Sequence, residues 1–109
     1  MSTTAGERFE RLTVLQVHAK ITDGWRPMWV DVRKPHEWAQ GTIERAEHFI
    51  PHDTVIANGL PGVPLDTPVL LQCRSGVRSA HAAAALVARG FTDVTNLEGG
   101  ILAWTEAYR

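Results

Sequence analysis

The chain has 109 residues, 44% hydrophobic and 21% charged, with a formal net charge of -1, the dimensions of one ordinary domain that buries a core without disulfide or metal. The balanced charge excludes a basic surface tracking a phosphate backbone, and no apolar run approaches the roughly 18 residues of a membrane span, so neither nucleic acid nor membrane is an expected partner. One cysteine cannot bridge within the chain, and the small, polar segment 1–7 lacks the basic start and apolar stretch of a secretory signal, which makes the reducing cytoplasm the expected compartment.

Residues 1–8 are expected to be a flexible N-terminal segment, followed by a single domain over 9–109. Thr13, followed by Val14, Val17, Ala19 and Ile21, predicts a short threonine-capped helix that stops at Asp23-Gly24. Met28, Trp29, Val30 and Val32 predict a buried strand with Asp31 and Arg33 as its polar end. Pro35 to Gln40, led by proline and followed by Gly41, predicts a short helix. Glu47 to Ile50 predicts a brief strand stopped by Pro51. The glycines and prolines between Thr54 and Pro68 predict an irregular segment. Val69 to Leu71 is apolar without alternation, as on a central parallel strand covered on both faces, and this strand delivers Cys73 to its C-terminal end. Ser79 to Arg89 is alanine-rich and predicts a helix stopped by Gly90 and Phe91. Val94 to Leu97 predicts a strand, and Ile101 to Tyr108 a last helix. Strands alternating with helices predict an α/β domain, its mostly parallel central sheet flanked by helices on both faces.

The informative segment runs from Leu70 to Ser79: Leu-Leu-Gln-Cys-Arg-Ser-Gly-Val-Arg-Ser. A cysteine leaving a buried strand, a turn with Gly76 and an immediate helix put the sulfur at a helix N-terminus, where unpaired N–H groups and the positive dipole end favour an anion. Gly76 supplies the left-handed turn, and Arg74 and Arg78 add cations on either side. Read alone, a single cysteine fits a small buried hydrophobe. Two arginines, a serine and a glycine within the next five positions fit a low-pKa nucleophile instead. Activation is a small part of what such a loop does. A thiol lowered from about 8.5 to about 6.5 gains about 25-fold in thiolate near neutral pH but loses about 8-fold in nucleophilicity, a net of about 3-fold. Holding an anionic donor in line and stabilising the anionic product is the larger contribution.

These residues resemble the active-site loop of rhodanese-like domains, and the resemblance runs from about Thr13 to Trp104. It takes in Asp31-Val32-Arg33, the short helix with Glu37 and Gly41-Thr42-Ile43, Ile50-Pro51, the cysteine loop, Gly90-Phe91, and Leu97-Glu98-Gly99-Gly100-Ile101 through Trp104. Where the family usually has Gly-His-Ile followed by Pro-Gly-Ala, this chain has Gly41, Thr42, Ile43, Glu44, Arg45 and Ala46, so that Arg45 takes a glycine position. The resemblance implies Cys73 as nucleophile, Arg74, Ser75, Gly76, Val77, Arg78 and Ser79 as the anion-binding loop, and Asp31 and Arg33 as supports near the pocket. Asp31 and Arg33 equally fit a structural ion pair at a strand end. Trp29, Trp38 and Trp104 sit in apolar runs and read as core, and Gly99-Gly100 as a site of close backbone packing. The five histidines show no ligand spacing, and one cysteine makes no zinc site, so neither metal nor cofactor is expected.

Three readings follow from the resemblance. In the first, Cys73 thiolate takes a sulfur atom from a small anionic donor such as thiosulfate and passes it from a persulfide to cyanide, a thiol or a protein acceptor. An ionised nucleophile needs no separate base, in keeping with a loop that has no histidine. The second is phosphatase or arsenate chemistry. Loops of that kind have five residues between cysteine and arginine, whereas Cys73 and Arg78 enclose four. The third is a module that relays sulfur for a protein partner without turnover of a small donor.

Overall fold

In a computed structural model describing residues 8–108, five parallel strands form one sheet in the order β1-β5-β4-β2-β3. The strands are β1 (Glu10–Leu12), β2 (Met28–Asp31), β3 (His48–Phe49), β4 (Val69–Gln72) and β5 (Val94–Leu97). The helices are α1 (Val14–Thr22), α2 (Pro35–Trp38), α3 (His52–Asn58), α4 (Val77–Ala88) and α5 (Gly100–Tyr108). The expected flexible segment 1–8 lies, except for Arg8, outside the described residues.

Every residue of β4 is buried, and side chains alternate across the sheet. Val69, Leu71 and Cys73 join Val30, Val32, Ala82, Ala83 and Leu86 in one core, on the side of α3 and α4. Leu70 joins Trp29, Leu97, Leu12 and Val17 in the other, on the side of α1 and α5. The middle strand thus carries apolar residues on both faces. Of the tryptophans, Trp29 is core and meets the half-buried Trp104 edge-on at 5.2 Å, while the half-buried Trp38 packs against Phe49 at 5.6 Å.

Local chemistry sets the ends of the elements. Thr13 Oγ1 accepts from Gln16 N at 3.2 Å while Gln16 Oε1 accepts from Thr13 N at 2.8 Å, a reciprocal box that starts α1. Helix α4 turns Ser79, Ala82, Ala83 and Leu86 inward, a spacing of three and four that keeps one face on the sheet.

Three departures from the expected elements are found. The segment Thr54 to Pro68 is not irregular throughout, because α3 occupies its first part. With only Val55 buried, seven residues leave no readable period, and Gly59 is a helix stop rather than loop punctuation. Strand β1 escaped notice because three edge residues show no alternation. Asp31 and Arg33, the expected polar end of the second strand, are 0% and 4% exposed and form an ion pair. Helix α4 begins at Val77 rather than Ser79, directly after Gly76. The substitution of Arg45 for a family glycine is absorbed without strain. Residues 43–46 close a turn through Ala46 N to Ile43 O at 2.9 Å, and Arg8 is the one non-glycine with positive φ among the described residues.

Helix α5 begins against the cysteine loop, and Gly100 makes that approach possible. It holds φ 59°, and a Cβ there would fall on the carbonyls of Arg74 and Cys73. Gly100→Ala is expected to lower stability by about 2 to 4 kcal/mol through combined backbone strain and overlap. Urea unfolding followed by circular dichroism measures this, and a midpoint equal to the native one refutes the close approach.

Candidate active site

After β4 ends at Gln72, the chain turns through Cys73 to Gly76 before α4 starts. Cys73 Sγ accepts the Gly76 N–H at 3.1 Å and the Ser79 hydroxyl at 3.3 Å, and the backbone N–H groups of Ser75 and Ser79 also donate to it. The orientation of those donors is fixed from α5. Leu102 N–H bonds the Arg74 carbonyl at 3.1 Å, and because a trans peptide points its two polar ends in opposite directions, the Ser75 N–H is turned to the sulfur. Ile101 N–H holds the Cys73 carbonyl at 2.9 Å, assisted by Gln72 Nε2 at 3.0 Å, and Gln72 Oε1 is itself held by the Trp29 indole at 3.1 Å. Gly76 takes φ 105°, with its carbonyl accepting from Asn96 Nδ2 at 3.2 Å.

Burial pushes the Cys73 thiol up, since the residue is 1% exposed, but the Ser79 hydroxyl and the N–H groups of Ser79, Gly76 and Ser75 outweigh it and hold the thiol below its ordinary value. Oriented dipoles therefore favour the charged form of the sulfur. The same donors suit any anionic sulfur occupying that point.

The two loop arginines differ. Arg78 Nη1 and Nη2 bond Glu37 Oε1 and Oε2 at 2.7 and 2.8 Å, a two-point ion pair across 41 positions. Glu37 is drawn from the ordinary 4.5 down to about 2, chiefly by the Arg78 hydrogen bonds against an opposing effect of burial, and Arg78 is raised by the same contact. Arg74 is exposed and has no ion pair among the described residues. It lines an open cavity of about 700 Å³ between α2 and α5, whose wall includes Arg33, His36, Glu37, Thr42 and Leu102. Ser75 and Val77 are exposed on the loop surface.

Asp31 and Arg33 form a buried pair. Asp31 Oδ2 accepts from Arg33 Nη2 at 2.8 Å and Nε at 3.1 Å, while Oδ1 accepts from the Arg33 backbone N–H at 3.0 Å. The guanidinium continues to the carbonyls of Glu37 at 3.3 Å and Gly41 at 2.8 Å, tying α2 and the turn after it to the end of β2.

The structure brings Ser75, Gly76 and Ser79 onto Cys73, sets Arg74 at the cavity and engages Arg78 with Glu37. Asp31 and Arg33 donate nothing to the sulfur: they hold α2, and Arg33 shares the cavity wall with Arg74. Reasoning from the sequence gave no role to Glu37 or Asn96. The signal for Asn96 was a polar residue in the run Val-Thr-Asn-Leu: fully buried, it bridges Gly76 to Glu98, which Arg11 holds from β1 at 3.1 Å.

A family model described as the rhodanese-like domain matches residues 13–107. The chain belongs to the rhodanese-like domain family. Among curated relatives of this rhodanese-like chain, thiosulfate sulfurtransferase GlpE of Stutzerimonas stutzeri is 35% identical over 100 residues, spanning 92% of this chain and 88% of the relative. The probable adenylyltransferase/sulfurtransferase MoeZ of Mycobacterium tuberculosis is 36% identical over 96 residues, but the match spans only 24% of that longer protein. A crystal structure of a rhodanese-like domain protein from Staphylococcus aureus superposes with a TM-score of 0.77 at 34% identity, covering 88% of this chain and 91% of that one. As the strand order and helices on both faces indicate, the fold is that of a rhodanese-like domain. No described helix is long and apolar enough to cross a membrane.

Two outcomes follow from this geometry. Ser79→Ala removes the hydroxyl donor to the sulfur, so the pH profile of Cys73 alkylation should move upward; an unmoved profile means the hydroxyl does not act on the thiol. Because Glu37 is depressed in the folded state, its pair stabilises the fold above the ordinary carboxyl value, and that contribution disappears as pH falls through about 2. Between pH 4.5 and 2 the native urea midpoint should fall more steeply than that of Glu37→Gln; parallel slopes would show that the pair adds no stability.

Proposed function

We propose that this protein is a thiosulfate sulfurtransferase in which Cys73 carries the transferred sulfur. The observation that carries the proposal is the cluster of donors on Sγ, in a member of a family whose curated relatives include thiosulfate sulfurtransferases. Cys73 thiolate attacks the outer sulfur of thiosulfate and forms a new S–S bond. The original S–S bond breaks, and sulfite departs with its electron pair. The resulting persulfide anion is held by the N–H groups of Ser75, Gly76 and Ser79, and a thiol or cyanide then attacks its outer sulfur and returns Cys73 to thiolate. The enzyme-bound sulfur is anionic both as thiolate and as persulfide and stays within reach of fixed N–H groups, while sulfite and then the sulfurated acceptor carry the remaining charge away, so no separate base acts on Cys73. Arg74 is the exposed cation that meets the incoming anion, and Val77 and Ser75 border the approach. Asp31 and Arg33 act as supports, holding α2 in place. A thiol cycling between these states belongs in a reducing compartment, in keeping with the cytoplasm.

Incubation of the native protein with thiosulfate should add the mass of one sulfur atom to the chain by intact mass spectrometry, and Cys73→Ser should neither gain that mass nor transfer sulfur to cyanide while keeping its fold. Retention of a tenth or more of native transfer by Cys73→Ser would remove the nucleophile assignment. Turnover of an aryl phosphate alone, lost in Cys73→Ser, would replace sulfur transfer by phosphatase chemistry.

A further inference from the structure

Glu37 approaches the catalytic loop from a different part of the chain, yet it makes the closest charged contact there. Its two oxygens face the two terminal nitrogens of Arg78 at 2.7 and 2.8 Å, the parallel fork that fixes both partners in one plane. The carboxylate is fixed in its turn, because Oε1 accepts the Lys34 N–H at 3.0 Å and the Glu37 carbonyl is held by Arg33. Arg33 is anchored to the fully buried Asp31. A continuous set of contacts thus runs from the end of β2 through α2 to Arg78, one residue before the Ser79 that donates to the sulfur.

We propose that Glu37 is a positioning residue that withdraws Arg78 from donor binding and fixes the first turn of α4, leaving Arg74 as the one loop arginine that meets the anionic donor. This rests on the sulfurtransferase reading for the donor, although the effect on Cys73 does not. Three observations support the division of labour. A guanidinium that spends both terminal nitrogens on one carboxylate has little left for a second anion in the same plane. Among the described residues Arg74 has no such partner, and it lines the cavity. Arg78 interacts electrostatically with Cys73 and Asp31 as well as Glu37, so Glu37 offsets a positive charge that the sulfur would otherwise feel in full. The charged groups facing the pair are Asp31 from β2 and Cys73 from the loop on the Arg78 side, and Arg33 on the Glu37 side.

The test separates charge from geometry. Native protein and the variants Glu37→Gln, Arg78→Ala, Arg74→Ala and the double variant Glu37→Gln/Arg78→Ala are compared by iodoacetamide alkylation of Cys73 across pH and by kcat and KM for thiosulfate with cyanide as acceptor. Glu37→Gln leaves the Arg78 charge uncompensated and should raise alkylation at pH 6 about 3-fold, whereas Arg78→Ala leaves the carboxylate uncompensated and should lower it by a similar factor. The double variant, with the pair removed whole, should alkylate as the native protein does and keep KM within about 2-fold, while kcat falls about 10-fold from the loosened turn. Arg74→Ala should raise KM about 10-fold, the scale of one lost charge-assisted hydrogen bond. Arg78→Lys keeps the charge without the fork and guards against a variant that fails to fold: it should alkylate natively with reduced kcat.

Alkylation moving in the same direction in Glu37→Gln and Arg78→Ala would overturn the proposal, as would a KM in the double variant raised as far as in Arg74→Ala. If no thiosulfate is used even by the native protein, the sulfurtransferase reading fails. The alkylation series still decides what Glu37 does to the sulfur.

Discussion

The contact on which the site depends is the seating of the α5 N-terminus on the carbonyls of Cys73 and Arg74. A loop that leaves a strand and enters a helix has peptide units free to face either way, and an anionic sulfur is stabilised only if their N–H ends converge on it. Ile101 and Leu102 spend their own unpaired N–H groups on those two carbonyls. One set of hydrogen bonds thus satisfies the start of α5, which would otherwise be left with orphan donors, and sets the direction of the loop dipoles. Gly100 is the steric condition for this arrangement, and Gly76 is a second one, since a Cβ there would crowd the backbone N of Gly99.

Charge is organised in two tiers around that loop. The inner tier, against the sulfur, consists of backbone and hydroxyl donors whose positions are covalently or helically fixed. The outer tier consists of ion pairs: Asp31 with Arg33, and Glu37 with Arg78. A buried pair such as Asp31–Arg33 offsets its own desolvation only when the remaining polar atoms are bonded, and here the guanidinium is used further on two carbonyls. These pairs contribute rigidity to α2 and α4, the two helices that approach the loop from different strands.

Much of this was legible in the sequence because the relevant signals were local. The threonine cap of α1, the unbroken apolar run of β4, and the cysteine placed between a strand and a glycine turn each fix their own structure within a few residues. Helix α3 and strand β1 were lost for the opposite reason: each is too short to show a period, and each is specified by what it packs against. The same distinction holds at the site. Ser75, Gly76 and Ser79 lie within six positions of Cys73 and were implied by the resemblance of that one contiguous loop, whereas the partner of Arg78 lies 41 positions away, and no periodicity connects Glu37 to it. Asn96 was visible only as an oddity, a polar residue in an apolar strand, until the sheet order set β5 beside β4 under the loop.

That sheet order also bears on how the protein acquires its reactive centre. Strand β1 lies beside β5, and Arg11 meets Glu98 across 87 positions of chain. Parallel pairing across such separations must close long loops before it is rewarded, which makes this a slow and highly non-local topology. The donors around Cys73 come from the loop itself, but their alignment depends on α5, near the end of the described chain. During synthesis the cysteine and its donors therefore emerge before Ile101 and Leu102, which hold the Cys73 and Arg74 carbonyls. The alignment of the loop N–H groups is a property of the assembled fold, set by a contact further along the chain than the cysteine it serves.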